Sequence, residues 1–257
     1  MIYGKEPCIL VGNQTAAENP FLNHPSTCQC PRFLEQLEYE ISTCEVNPVP
    51  DNDTGKLEFY LKLQVLLLSR ANVLNHWSLD NVEKLIQVSK DVIRLIPDNH
   101  TDKAEYLHIL ATAYSTCFRQ LHDIGDLDRC ILAGEHAIRV TNDDHPERVS
   151  YLRSLTRSLS LCFQHSSNLS DIDKGISIQQ SLIQLTSDHD PDESEYLYEL
   201  VSLLRTRFQQ LHDPSDLDKG VLAQENAIQL LADDCPASVR CLHLHSLVSL
   251  HYLLFKD

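Results

Sequence analysis

Three acidic pentapeptides recur at a constant interval in this sequence of 257 residues. They begin at Asp126 ("DLDRC"), Asp171 ("DIDKG") and Asp216 ("DLDKG"), so neighbouring copies lie 45 residues apart. Paired carboxylates can bind a cation or transfer protons when a His or a third carboxylate converges on them. Because each pair belongs to a separate repeat, we instead predict that it starts a helix. The first Asp would cap a backbone N–H, and the second would lie against the positive end of the helix dipole.

Cysteine and histidine side chains are the other candidates for metal chemistry. Cys241 and His245 are four residues apart, and we interpret them as core or surface residues of one helix face. His122 and His212 occupy equivalent positions with Ser167 between them, so we interpret them as loop residues. The N-terminal residues that could hold zinc are Cys8, His24, Cys28, Cys30 and Cys44. Their spacing is not that of a zinc knuckle, and the chain has no Gly-rich phosphate loop, so we expect no metal, cofactor or catalytic residue.

The composition favours a folded, acidic protein. Apolar residues make up 42% of the chain, which is enough for a core, and the formal net charge is −16. That charge disfavours nucleic acid and anionic membranes as partners and would attract basic ones. The sequence has neither a secretory hydrophobic segment nor an apolar run of about 18 residues that could span a membrane. Its nine irregularly spaced cysteines are expected to be free thiols, which predicts a cytoplasmic protein.

The 45-residue interval extends through most of the chain and has helical character. In rows of 45 residues written from Asn81, apolar residues coincide at positions 4 and then 7 apart, as on one face of a helix. We name this first helix of each row helix A. Its defining columns are Val82/Leu127/Ile172/Leu217, Ile86/Ile131/Ile176/Val221 and Ile93/Ile138/Ile183/Ile228.

A second helix, helix B, is predicted in each row. Pro146, Pro191 and Pro236 suit the first position of a helix, where the missing N–H costs nothing. Gly125 and Pro214 lie where helix B should break. The helix B columns are Tyr106/Tyr151/Tyr196, Leu107/Leu152/Leu197, Leu110/Leu155/Leu200 and Phe118/Phe163/Phe208.

Each row is therefore a helical hairpin that is too small to fold alone. Its buried side chains stabilise it by less than the conformational entropy lost in ordering a whole row, so stacked neighbours must complete the core. The sequence predicts an all-α fold, an α-solenoid of hairpins with a 45-residue period. We expect a repeat domain at 58–257, with full repeats at 81–125, 126–170 and 171–215 and an incomplete one at 216–257.

The N-terminal region is less regular. Residues 1–57 are rich in proline and contain one convincing helical stretch, at Pro31–Ser42, so we expect a loosely ordered arm with one helix. The segment Glu58–Trp77 looks like a helix B whose own helix A has drifted or been lost. We expect it to pack on the first full repeat.

The order of these motifs resembles a known family. The pattern "DLDKG…A…A…DDxP" of Asp216–Pro236 and the "YLxxL…RF" of Tyr196–Phe208 resemble the long tetratricopeptide-like (TPR) repeats that are abundant in fungi and often precede a CHAT domain, a caspase-like protease module. HEAT-like repeats rank second. The resemblance covers about residues 81–257 and implies a scaffold for protein–protein recognition that is not an enzyme. The alternative is a regulatory repeat region of a CHAT protease system whose catalytic domain is absent from this chain.

The resemblance also implies where a partner would bind. In stacked TPR-like hairpins the A helices line the concave surface, and polar residues recur there at two positions four residues apart. Such a polar ladder would suit an extended peptide or a helix from a protein partner, basic rather than acidic. The predicted partner-binding residues are Lys90, Arg94, Glu135, Arg139, Gln180, Gln184, Glu225 and Gln229. The alternative is that these residues are only solvated.

The C-terminal sequence is apolar, and no polar capping helix follows it. Leu247, Leu250, Leu253, Leu254 and Phe255 lie in its last eleven residues. Solenoids normally end with a polar outer face. The sequence therefore predicts self-association through this edge, docking of another subunit, or continuation into a longer protein. A degenerate copy without a selected role is the remaining alternative.

Overall fold

The computed structural model describes residues 31–74, 76–186, 190, 192–231 and 235–256. Within these ranges the chain forms helices and no strands. The helices are α1 (Pro31–Val46), α2 (Asp53–Leu74), α3 (Leu79–Leu95), α4 (Lys103–Leu121), α5 (Ile124–Val140), α6 (Arg148–Ser166), α7 (Leu169–Leu185), α8 (Glu193–Leu211), α9 (Pro214–Gln229) and α10 (Ala237–Lys256).

The chain divides into two compact units, Met1–His122 and Asp123–Asp257. In the first unit α1 packs on α2, α2 on α3 and α3 on α4. In the second unit each helix from α5 to α10 packs on the next one in the chain. Each unit thus has the arrangement predicted for an α-solenoid, in which helical hairpins stack in chain order.

The helix boundaries repeat with the predicted period. The A helices α3, α5, α7 and α9 begin at Leu79, Ile124, Leu169 and Pro214, at intervals of 45 residues. The B helices α4, α6 and α8 begin at the same interval, and α10 follows α9 as the fourth helix B. The apolar column that defines helix A is buried in every hairpin, as Val82, Leu127, Ile172 and Leu217 are at most 1% exposed. The periodicity of the sequence is therefore the periodicity of the fold.

The helix start signal lies three residues earlier than the first Asp of each acidic pentapeptide. Asp123 Oδ1 accepts a hydrogen bond from Gly125 N at 3.0 Å, and Asp213 Oδ1 accepts one from Ser215 N at 3.0 Å. Asn168 and Ser78 cap α7 and α3 in the same way. The prediction that Asp126 caps its helix is wrong, because Asp126 N already donates to Asp123 O, inside the first turn. The pentapeptide carboxylates still lie near the positive end of the helix dipole.

The loop histidines end helix B in a left-handed backbone conformation. His122, Ser167 and His212 have φ angles of 57°, 55° and 52°. The N–H of each donates to the carbonyl of a phenylalanine four residues earlier at 2.8 Å, which closes the last turn. All three side chains are exposed, as predicted for loop residues. The imidazoles of His122 and His212 pack edge-on against the preceding Phe118 and Phe208.

The helix before α2 is present in the structure. Residues 1–57 contain α1 and the beginning of α2, and α1 packs against α2. Glu45 of α1 accepts a hydrogen bond from Lys84 of α3 at 2.6 Å. Glu135 and Lys174, each 90 residues later, form the same pair between two successive A helices at 3.3 Å. Helix α1 therefore stands where a helix A precedes α2 and keeps the register of the later A helices, so that helix has not been lost.

The second helix of the fourth hairpin packs two residues out of phase. In the third hairpin Gly175 of helix A faces Leu203 of helix B. In the fourth hairpin Gly220, 45 residues after Gly175, faces Leu250, which is 47 residues after Leu203. The same sequence, "LVSL", occurs at 200–203 and at 247–250. The period of 45 thus holds for every helix A, whereas the contacts of α10 follow an offset of 47.

A buried amide shows the same displacement. Gln179 Nε2 donates to the carbonyl of Tyr196 at 2.9 Å. Its counterpart Gln224 instead pairs through Nε2 with Nδ1 of His243 at 2.9 Å, and His243 lies 47 residues after Tyr196. The apolar side chains of α10 decide which of its residues face α9. These side chains lie two residues later in the sequence than the columns of the first three hairpins predict.

Candidate functional site

The eight ladder residues all lie on A helices. Seven of them are exposed, and Glu135 is half-buried. Those on α3 belong to the first unit, and those on α5, α7 and α9 belong to the second. The first pair is Lys90 and Arg94; the second set is Glu135, Arg139, Gln180, Gln184, Glu225 and Gln229.

The two ladder residues of the first unit have local partners. The ammonium of Lys90 lies 5.5 Å from the centre of the Tyr114 ring, which gives a cation–π contact within the hairpin. Arg94 forms an ion pair with Asp91, one turn earlier on α3. Both cations remain accessible, but each must give up a contact to bind a partner.

The ladder of the second unit is held by a bridge between A helices. Lys174 Nζ of α7 lies 3.3 Å from Glu135 Oε1 of α5. Arg139, one turn after Glu135, is exposed and forms no ion pair with a described residue. Gln180 and Gln184 continue the polar surface on α7 with neutral amides. The surface therefore offers one available guanidinium and a series of amide donors and acceptors.

Two large apolar side chains interrupt this polar surface. Leu132 of α5 is 65% exposed and Leu222 of α9, at the equivalent position, is 61% exposed. Each lies three residues before a ladder residue, Glu135 or Glu225, and therefore on the same helix face. The sequence interpretation missed them because Ser177 occupies this position on α7, so the column is not uniformly apolar. We call the second-unit residues of these three columns the helix A surface: Leu132, Glu135, Arg139, Ser177, Gln180, Gln184, Leu222, Glu225 and Gln229.

Carboxylates flank the helix A surface at the start of each helix. Asp128, Asp173 and Asp218 are exposed in the first two turns of α5, α7 and α9. Asp173 is paired with Arg207 Nη1 at 2.7 Å. Together with Glu225, the carboxylates of Asp128 and Asp218 make the surface acidic.

The B helices carry a separate cluster of ion pairs. Glu199 of α8 accepts from Arg157 Nη2 of α6 at 2.7 Å and lies 3.2 Å from Arg153 Nε. A shallow cleft of about 320 Å³ lies beside this cluster, lined by Thr156, Arg157, Ser160, Leu161, Glu199, Ser202 and Leu203. Because the charged groups of the cluster satisfy one another, we interpret it as a clamp between two B helices.

Burial suppresses the ionisation of two cysteine thiols near the hairpin core. Burial, followed by a hydrogen bond to Asp171, raises the pKa of Cys162 to about 11. Burial also raises the pKa of Cys44. A thiol needs its ionised form to act as a nucleophile, so neither residue is equipped for catalysis at neutral pH. None of the described cysteines forms a disulfide: Cys44, Cys117, Cys130, Cys162, Cys235 and Cys241.

Metal and membrane features are absent from the part of the chain that the structure describes. No group of three His, Cys, Asp or Glu side chains in these ranges is placed to hold a metal ion. Cys241 and His245 are both exposed on α10. The other zinc candidates, except Cys44, lie outside the described residues. Among the described helices, none combines the length and apolar character needed to cross a membrane.

Comparison with known proteins gives structural likenesses only. No family model and no curated protein matches the chain. A structure of nearly identical TPR-like repeats from Podosopora anserina is 13% identical, covers 76% of this chain and 87% of that one, and gives a TM-score of 0.49. A thermophilic TPR protein from Thermus thermophilus is 17% identical, covers 84% of this chain and 96% of that one, and gives a TM-score of 0.47. At such low identity and TM-score, the fold assignment depends on the packing described above.

Proposed function

We propose that this chain is a non-catalytic protein-interaction module that binds a segment of another protein along the helix A surface of its second unit. The observation that carries the proposal is the exposure of Leu132 and Leu222 at equivalent positions of α5 and α9. Apolar side chains at fixed places in a polar surface can bury partner side chains, while the surrounding amides and carboxylates set their orientation.

The charges of the surface define the partner further. Asp128, Asp218 and Glu225 are exposed carboxylates, and the whole chain carries a formal charge of −16. A segment with Lys or Arg beside apolar residues would pair with both the carboxylates and the two leucines. The guanidinium of Arg139 would donate hydrogen bonds to one carboxylate of that segment. Lys90 and Arg94 of the first unit occupy the same columns, and we extend the proposal to them as a second binding region.

The chemistry of the cysteines supports a reducing environment. Cys117, Cys130 and Cys162 are buried and form no disulfide. Buried free thiols are usual in cytosolic proteins, whereas secreted domains commonly oxidise theirs. We therefore propose a cytoplasmic location for the module.

A matched pair of triple variants tests the binding surface. One variant replaces three exposed glutamines of the A helices, Gln180→Lys, Gln184→Lys and Gln229→Lys. The control replaces three exposed glutamines of the B helices, Gln164→Lys, Gln209→Lys and Gln210→Lys. Both add the same charge to the same residue type, so the net charge and the surface chemistry change equally. Affinity capture from native extract with mass spectrometry then compares the proteins held by each.

We expect at least one protein to be captured by the native chain and by the control but lost from the helix A variant. A separate double variant, Leu132→Ser with Leu222→Ser in the otherwise native chain, should also fail to capture that protein. A set of captured proteins that is identical for the helix A variant and the control would contradict the proposal.

A further inference from the structure

Helix α10 exposes an apolar face that is separate from the helix A surface. Leu244, Val248 and Phe255 are 46%, 66% and 87% exposed. Their spacing places them on one side of the helix, and His243 and Leu250, which lie away from that side, are at most 4% exposed. We call Leu244, Val248 and Phe255 the α10 face.

The α10 face has a buried counterpart on the preceding helix B. With the offset of 47 residues shown by the contacts of α10, its three residues correspond to Leu197, Val201 and Phe208 of α8. The residue types are the same at all three positions. On α8 these side chains are 8%, 1% and 4% exposed.

The three corresponding residues of α8 belong to a core cluster that includes the following helix A, α9. Leu197, Val201 and Phe208 share one core cluster with Leu217 and Ala227 of α9. Packing of a helix B against the following helix A also joins α2 to α3 and α6 to α7. The α10 face thus presents to solvent the apolar part of the surface that α8 shares with α9, and no described helix covers it. The cation Arg207, which pairs with Asp216 of α9, has no counterpart on α10, because Leu254 lies 47 residues after it.

The charge of α10 also matches a helix A. The sequence 237–256 contains Arg240, Lys256 and three histidines but no acidic residue, in a chain of net charge −16. The A helix that packs on α8 begins with Asp216 and Asp218 in its first turns. Arg240 and Lys256 give this segment a positive charge, which attracts an acidic amphipathic helix.

We propose that the α10 face docks an amphipathic helix of a partner protein with the chemistry of α9: leucine and alanine on the contact face and carboxylates in the first turn. A second copy of this chain fits less well, because the described A helices of a copy already pack against B helices. A contact between two α10 faces would bring no acidic residue to either of them. This proposal does not depend on binding at the helix A surface.

A peptide with the sequence of α9 provides the test. The peptide Pro214–Gln229 carries a fluorophore and a hydrocarbon crosslink between positions 222 and 226, which are both exposed in α9. The crosslink supplies the helical conformation in advance, so that ordering entropy does not hide the docking. Fluorescence anisotropy measures its binding to the full chain.

Two substitutions of one residue type give the matched comparison. Leu244→Glu alters the α10 face, whereas Leu242→Glu alters a leucine of nearly equal exposure, 48% against 46%, that points elsewhere on α10. We expect saturable binding to the native chain and to Leu242→Glu, and affinity weaker by about tenfold or more for Leu244→Glu and Val248→Glu. Circular dichroism of each variant verifies that the fold is kept.

Three results would overturn the proposal. Absence of peptide binding to the native chain, or equal binding to all four proteins, would show that the face does not accept a helix of this chemistry. Sedimentation equilibrium showing a dimer that Leu244→Glu abolishes would assign the face to a second copy of the chain instead.

Discussion

The guanidinium of Arg207 forms two hydrogen bonds to the carboxylate of Asp216, from Nε to Oδ2 at 3.0 Å and from Nη2 to Oδ1 at 2.5 Å. The carboxylate is fully buried, and Arg207 also reaches Asp173 at 2.7 Å. Hydrogen bonding to Asp216, more than to Asp173, raises the pKa of Arg207. One cation of α8 thus joins the acidic pentapeptides of two successive A helices, so these carboxylates hold the hairpins together.

Removal of Arg207 should destabilise the second unit. Arg207→Ala leaves the carboxylate of Asp216 buried without its cation, and we expect the free energy of unfolding to fall by about 3 kcal/mol. Urea denaturation followed by circular dichroism measures the loss. Arg157→Ala is the control, because that side chain is 58% exposed and its ion pair should contribute less than about 1 kcal/mol. Equal losses for the two variants would contradict the assignment.

Replacement of Gly175 by alanine should stabilise the protein. A Cβ there would lie 3.7 Å from Leu203 Cδ2 and 3.8 Å from Leu159 Cβ, which is ordinary contact. Because glycine is a poor residue inside a helix, Gly175→Ala should add about 0.5–1 kcal/mol to the free energy of unfolding. Gly175→Leu should instead lower it, since the larger side chain would force α7 away from both leucines. Denaturant titration of both variants decides the sign; a loss with Gly175→Ala would show that the contact is closer than the structure places it.

Glycine should be more stable than serine at position 167, the left-handed position between α6 and α7. Ser167 has a φ angle of 55°, a conformation that costs residues with a Cβ about 1 kcal/mol. Ser167→Gly should therefore raise the thermal midpoint, and Ser167→Val, with a branched side chain at the same angle, should lower it. Differential scanning calorimetry gives both values. If the glycine variant melted below the native chain, the serine side chain would have a stabilising contact that outweighs its strain.

His243 should make stability depend on pH in a defined direction. Burial lowers its pKa from 6.5, and its ring packs on Tyr198 of α8 and pairs with Gln224 of α9, so neither facing group is charged near neutral pH. The unfolded chain therefore binds the proton more strongly than the folded chain. Stability is complete above the unfolded pKa and declines as the pH falls below it.

Urea midpoints between about pH 7.5 and 5.5 test this contribution. His243→Leu should show a smaller decline over this range than the native chain, while His245→Leu, which alters an exposed histidine, should retain the native slope. The comparison concerns slopes, so a constant loss from removing the bond to Gln224 does not affect it. A native slope in His243→Leu would refute the contribution of this ring.

The repeated apolar columns were sufficient to predict most of the fold. Leu127, Ile172 and Leu217 recur at 45 residues and face the core in each hairpin, because burial of one helix face requires apolar residues at helical spacing. The exposed ladder positions, including Gln180 and Gln184, followed from the same periodicity. The cap positions did not, because Asp123 and Asp126 are both suitable residue types and only the backbone geometry distinguishes them.

The candidate binding features were predicted less completely. Leu132 and Leu222 were missed, since Ser177 breaks their column and exposure depends on which side of helix A remains uncovered. Leu250 and Phe255 both looked like members of one uncovered edge, but Leu250 is fully buried and Phe255 is 87% exposed. The apolar sequence of a helix alone does not show which face of the helix is buried and which is exposed.

The amino-acid sequence by itself determined that paired helices recur every 45 residues, because each row contains apolar residues at helical spacing and residues that break helices. Tertiary structure decided the rest: the burial of Asp216 beside Arg207, the displacement of α10 by two residues, and the exposure of Leu244 and Val248. These features arise from contacts between helices, where side-chain volume and charge pairing choose among arrangements that the repeat pattern allows equally.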